Sequence, residues 1–312
     1  MSSEAFIRCP RCGNENSHDS FACSFCGKRL RIEKLESIGF FRRIESEWIN
    51  PLPWYMKIFY LFKDPARAFW DINHKRSSSP GYLILLINSL LWGLMGLAFF
   101  SHYQISGVEG NDVVPDYLIL FPYGMGFFIV FFIFGLIFNL VFFFILTWLF
   151  IKGANYAVDF SERLETRFGD VEERDEKFKD AEMSPFSIYK GGVLLQKQEA
   201  FKYKMLFCAF APLLLINVVK ILIVLFAFPT VQVDIRDGVD PEIFNPMFNS
   251  PVFTALDIID GLTIAIWVPI LMTLGIRELA NSSTYKVLIS SFIVGGLVAF
   301  LFYFLRPTII GI

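Results

Sequence analysis

Five long apolar runs alternate with polar stretches along this chain. They cover roughly residues 81–100, 122–151, 206–228, 255–275 and 287–305. Each reaches the roughly 20 residues that a helix needs to cross the bilayer core. The first, second and fifth carry no charge. The third holds Lys220, and the fourth holds Asp257 and Asp260 near its start. At about 30 residues, ~45 Å as a helix, the second run is too long for one upright span. It is also too short for two spans with a turn. It predicts a tilted span that continues into the polar segment behind it. The predicted fold class is an all-α polytopic membrane protein, a bundle of five transmembrane helices (81–305).

The first 30 residues break this pattern. They read CPRCG and, ten residues on, CSFCG. Two C-x-x-C turns place the thiolates of Cys9, Cys12, Cys23 and Cys26 tetrahedrally around one Zn²⁺. Gly13 and Gly27 close the two turns where backbone amides approach sulfur. So short a segment cannot build an apolar core, so bound metal would supply its folding energy. A small N-terminal zinc ribbon over 1–30 is expected, with structural zinc as its cofactor. A redox dithiol needs one such pair inside a βαβ unit, and none is present.

Residues 31–80 interleave aromatics with basic side chains. Trp48, Trp54, Tyr55, Phe59 and Tyr60 stand among Arg42, Arg43, Lys57, Lys63 and Arg67. That mixture suits a membrane–water interface and predicts one or two helices lying on it. The alternative is a helix packed on the protein's own membrane domain; the two are compatible.

Composition sharpens the class. Of 312 residues, 54% are apolar, 19% are charged and 37 are Phe, with a net charge of −2. An ordinary soluble domain carries about 25% charge. A soluble enzyme and a disordered chain are both excluded, and no global charge points to nucleic acid. Lys and Arg number thirteen before the first run, then none, ten, one, two and one in the successive gaps. Alternate sides therefore hold 25 and two, with Lys220 inside the third run. The positive-inside rule predicts a cytoplasmic N-terminus and an outside or lumenal C-terminal tail (306–312).

The cytoplasmic insert 152–205 is highly charged in its first half. Phe160, Leu164, Phe168 and Val171 recur there at helical spacing. Its Glu172–Glu173 pair lacks the supporting His or Asn motifs of an intramembrane protease. The outer loops are acidic (Glu109, Asp112, Asp116; Asp234, Asp237, Asp240, Glu242) and lack the ligand spacing of a calcium loop. They are expected to be solvated.

Charges inside spans need partners or a purpose. Lys220 falls about 4–5 Å beyond the middle of the third run and Asp260 about 7–8 Å to the same side in the fourth. A Lys220–Asp260 ion pair is expected, with Asp257, one turn away, as alternate partner. The competing reading is a lysine reaching outward and two aspartates at the membrane edge. Asn217 shares the Lys220 face. Gly261 with Ala265, and Ser291 with Gly295, are small-residue pairs that suit close helix contact. Pro212 and Pro269 interrupt the third and fourth runs.

FKDPARAFWDI precedes the first run, AFKYKMLFCAFAPLLL leads into the third, and LGIRELANSSTYKVLIS joins the last two. Over about residues 55–305 this resembles the Yip (Ypt/Rab-interacting protein) family of five-span membrane proteins. The ribbon resembles those fused to prokaryotic membrane proteins, so the resemblance implies a prokaryotic, archaeal member in the cell membrane. It also implies a role of the membrane-trafficking type. The D-L-Y-G-P stretch of eukaryotic members is replaced here by INPLPWYMKIF.

The expected function is a non-enzymatic membrane scaffold or adaptor that recruits cytoplasmic partners or shapes the bilayer. Candidate partners are membrane lipid, a cytoplasmic protein such as a small GTPase, and a second copy of the chain. The ribbon has too few basic residues for nucleic acid. The alternative is a small transporter or channel built on Lys220, Asp257 and Asp260. No paired His, and no Ser with a His in reach, lies in the spans, so an enzyme is not expected.

Overall fold

The computed structural model describes residues 6–16, 18, 20–23, 25–44, 52–74, 78–106, 117–160, 201–234 and 250–310. Among these residues it is mostly helical, at 77%. Among the described residues, five helices are long and apolar enough to cross a membrane. The protein is thus a multi-pass membrane protein by helix length and composition. The elements in order are β1 (Ile7–Arg8), β2 (Glu15–Asn16), α1 (Trp54–Lys63), α2 (Pro65–His74), α3 (Gly81–Phe100), β3 (Tyr103–Ser106) and α4 (Tyr117–Val158). Then come α5 (Phe201–Ala227), β4 (Val231–Asp234), α6 (Pro251–Ala280) and α7 (Thr284–Ile310). The Phe160–Val171 stripe beyond Phe160, the Glu172–Glu173 pair and most of the acidic loop residues lie outside the described residues.

The second apolar run forms one continuous helix of 42 residues, about 63 Å long. It ends where Asp159 takes φ 50°, a left-handed stop that Asp tolerates better than a branched residue does. The last helix runs on to Ile310, through most of the stretch expected as a tail. Helix α5 tightens to a 3₁₀ turn at Phe207–Phe210 just before Pro212. Helix α6 widens to a π turn at Thr263–Trp267 just before Pro269. Each proline lacks the amide that a regular helix would use there, and the neighbouring turn absorbs the change.

The chain divides into two compact units. One comprises Met1–Gly81, Phe144–Ala211 and Val268–Gly295; the other comprises Tyr82–Phe143, Pro212–Trp267 and Gly296–Ile312.

The first unit contains the cysteine hairpin, α1 and α2. Asp64 ends α1 and opens α2: its backbone amide donates to Tyr60 O, and its Oδ1 accepts from Arg67 N at 3.3 Å. Pro65 follows at the first helical position, where its missing amide costs nothing. Helix α2 buries Ala66, Ala68, Phe69 and Ile72 completely. Phe69 lies over Gly275, where a Cβ would stand 3.2 Å from the ring. At Gly81 a Cβ would fall 1.9 Å from the Lys204 carbonyl oxygen, so the two backbones meet directly. At Gly153 the close neighbour is a side chain, with a Cβ falling 2.7 Å from Ser290 Oγ.

In the second unit α3 and α4 interlock through glycine notches. Phe128 fills the space at Gly93, Phe131 that at Gly96, and Trp92 that at Gly135, with Cβ clearances of 2.6–2.8 Å. The small pair expected at Gly261 makes no such contact: a Cβ there meets nothing within 4 Å. Ala98, Val224, Phe228, Val231 and Leu256 form an apolar cluster. Strands β3 and β4 pair in parallel, Tyr103 opposite Val231. Parallel pairing directly after α3 and α5 means that the chain leaves both helices in the same direction. Of the acidic loop residues, Asp234 ends strand β4.

Candidate metal centre and intramembrane polar chain

The hairpin of β1 and β2 brings two cysteine turns together. In each, a glycine amide closes the turn: Gly13 N donates to Cys9 O at 2.9 Å and Gly27 N to Cys23 O at 3.0 Å. Both glycines sit at positive φ, 73° and 67°, where a side chain would be strained. The four sulfurs of Cys9, Cys12, Cys23 and Cys26 lie within 4.8 Å of one another. Cys9 Sγ–Cys26 Sγ and Cys12 Sγ–Cys23 Sγ are both 3.6 Å. A tetrahedral metal at ~2.3 Å from each sulfur needs sulfur–sulfur edges of about 3.8 Å, so the set fits a metal ion.

The thiols are electrostatically uneven. Burial raises Cys23, but the amides of Cys26 and Phe25 and the Asn16 side chain more than offset this and bring it down to about 6. Cys12 receives the Asn14 amide, but burial and the three neighbouring sulfurs push it up to about 12. Crowded sulfurs cannot all ionise alone, and a cation in their midst takes the place of their protons.

The cysteine hairpin is fastened to the turn between α6 and α7. Asn281 ends α6 with φ 50°, which frees its side chain to face the hairpin. Its Oδ1 accepts from Ala22 N at 2.9 Å and its Nδ2 donates to Ala22 O at 2.7 Å. Ala22 precedes the ligand Cys23. Arg43 donates to Glu36 Oε1 at 2.8 Å, to Asn281 Oδ1 at 3.3 Å and to Ser282 O at 2.5 Å. Its guanidinium also lies 5.1 Å above the Phe21 ring.

Two glutamates complete the fastening. Glu33 accepts from Ser283 Oγ at 2.5 Å and from Tyr285 N at 3.2 Å, placing a negative charge at the start of α7 where helix dipoles favour it. Glu36 accepts from Thr284 Oγ1 at 3.0 Å. Arg277, fully buried, donates to the carbonyls of Phe41 and Arg42 and to Thr284 Oγ1.

The interface reading of residues 31–80 needs correction at two positions. Arg43 and Lys57, expected among basic groups at the membrane–water boundary, are both buried. Each has carboxylate partners inside the protein, which is what makes burial tolerable.

The second site lies among the spans. Lys220 Nζ stands 2.6 Å from Asp260 Oδ2. Asp257 lies one turn earlier on α6 and is half-buried. A chain of amides adjoins this pair along α5. Asn217 Nδ2 donates to Asn88 Oδ1 at 2.6 Å, and Asn88 Nδ2 donates to Asn139 Oδ1 at 2.9 Å. All three asparagines are at least nine-tenths buried, and they come from α5, α3 and α4. The donors run one way, and the terminal Asn139 Nδ2 has no acceptor among the described residues. Asn88 and Asn139 escape a sequence reading that looks for charge. Their signal is a single amide inside an otherwise apolar run.

No family model matches the chain, and no curated protein or solved structure matches it.

Proposed function

We propose that this protein is a non-enzymatic integral membrane adaptor of the Yip-like, trafficking type. Its ribbon holds structural zinc, and its N-terminus and the α6–α7 turn face the cytoplasm. The observation that carries the reading is the fastening of the cysteine hairpin to the α6–α7 turn. A recognition module on a loose tether gives a partner no defined orientation. One clamped by Asn281, Arg43 and Glu33 presents a fixed face. Phe25, at the second cysteine turn, is 80% exposed on that module. A cytoplasmic protein such as a small GTPase is the proposed partner.

Crosslinking in native membranes tests this. Wild type is compared with Cys23→Ser/Cys26→Ser, and captured proteins are identified by mass spectrometry. A GTPase captured by wild type and lost in the double variant is the expected outcome. Identical capture by both forms removes the ribbon from recognition, and no specific capture by either removes the adaptor reading.

A second reading, a small transporter, is favoured by the Lys220–Asp260 pair with its adjoining amide chain. It requires a solute flux in liposomes that Lys220→Met abolishes.

A further inference from the structure

Helix α1 is built inside out. Its buried side chains are Lys57 and Leu61, whereas Trp54, Tyr55, Met56 and Phe59 are exposed. A helix facing water would turn the lysine outward and the aromatics inward. Lys57 is held inside by Asp71 Oδ2 of α2 at 3.1 Å and by Ser78 Oγ at 2.6 Å. Asp71 in turn accepts from Leu52 N. Burying a lysine and a carboxylate is costly until pairing offsets it. An arrangement that pays this cost to free an aromatic face makes physical sense where the outer medium is not water.

The packing of α1 gives the same answer. It lies against the Phe207–Phe210 turn of α5. That turn opens the apolar run 206–228, just past Lys202 and Lys204, at the end of the span where charged side chains give way to apolar ones. The segment leading into α3 is fixed at a similar level, since Ser79 Oγ donates to Lys204 O at 3.0 Å. The end of a span is where headgroups give way to acyl chains. Cations stand beside the aromatics: Lys63 Nζ is 6.0 Å from the Phe59 ring and the Arg67 guanidinium 5.3 Å from that of Tyr60. Aromatic rings with Lys and Arg at their margin are the side-chain set of the bilayer interface.

We infer that the Tyr55–Phe59 face of α1 is a lipid-docking surface. The helix lies in the interface, with Tyr55, Met56 and Phe59 against the acyl boundary and Lys63 toward lipid phosphates. The buried Lys57–Asp71 pair ties its inner side to α2. This holds whether or not the protein is an adaptor, because it depends on no partner protein.

Spin labelling tests it in full-length protein carrying Cys208→Ser with metal bound to the ribbon. The protein is reconstituted in phosphatidylcholine–phosphatidylglycerol vesicles and labelled at Phe59→Cys. The expected result is stronger relaxation by dissolved oxygen than by a water-soluble nickel chelate, the same order as at the α5 position Leu222→Cys. Met56→Cys, on the same exposed face, must give the same order. Chelate relaxation exceeding oxygen relaxation at both α1 positions places the face in water and overturns the inference. Low access to both reagents means that protein covers it, and overturns the inference equally.

Discussion

Stripping the metal from Cys9, Cys12, Cys23 and Cys26 is expected to unfold residues 6–30 and to loosen the α6–α7 turn, with the spans left in the membrane. Metal binding to such sites is worth about 10–16 kcal/mol in small zinc modules, as much as the whole stability of a typical domain. Apart from its contacts with Asn281 and Arg43, the hairpin has little else to hold it. Ala22, which pairs twice with Asn281, is next to Cys23, so loss of the ligand loop removes both bonds. Amide hydrogen exchange in residues 281–285, measured with and without a chelator, reports the coupling. Asn281→Gly separates the two effects, because glycine keeps the left-handed end of α6 while deleting the two bonds to Ala22 and the longer one from Arg43. At about 1 kcal/mol each, loss of the Ala22 pair alone corresponds to a roughly 30-fold rise in opening of the turn with the metal still bound, and loss of the Arg43 bond adds to it. Unchanged protection of 281–285 after chelation shows that ribbon and turn are independent and defeats this prediction.

Lys220→Ala is expected to be the most damaging single change among the spans. It leaves Asp260 without its partner in an apolar helix, and a charge at such a position costs about 2.5–3.5 kcal/mol on insertion scales. Expression level and thermal unfolding in detergent should both fall sharply. Adding Asp260→Ala should restore a large part of the loss, because the orphaned charge is then gone. Independent, additive effects of the two substitutions mean that the contact carries no coupling energy. Asn88→Ala is expected to do far less. It removes two amide hydrogen bonds, and such bonds between membrane helices average about 0.6 kcal/mol each.

The features legible in the sequence are those written in local spacing or local composition. Cys9, Cys12, Cys23 and Cys26 announce themselves by two C-x-x-C turns. The long helices follow from uninterrupted apolar runs. Lys220 and Asp260 can be matched because helix rise converts position into depth. The clamp on the α6–α7 turn has no such signature. Arg43 and Asn281 are ordinary polar residues until a fold brings positions 238 residues apart within bonding distance. Helix α1 misleads for another reason. Composition shows that Lys57 stands among aromatics, but only packing decides which of them turns inward. The small pair Gly261 and Ala265 is legible in the sequence, but a Cβ at Gly261 meets nothing within 4 Å. Close contacts between α3 and α4 lie at single glycines facing a bulky ring, Gly96 under Phe131 and Gly135 under Trp92, and that pairing depends on the register between helices.

The clamp also imposes an order on how the protein is made. Glu33, Glu36 and Arg43 are synthesised long before Arg277, Asn281 and Thr284. At about 5–20 residues per second, roughly 12–48 s separate Arg43 from Asn281 on the ribosome. During that interval the early residues have no late partners, and the cysteine hairpin has only its own turns and whatever metal ion its thiols hold. Closure waits for the turn between α6 and α7 to emerge and take its place. A docked ribbon therefore marks a chain whose synthesis has passed Tyr285, and an undocked one marks a chain still short of it.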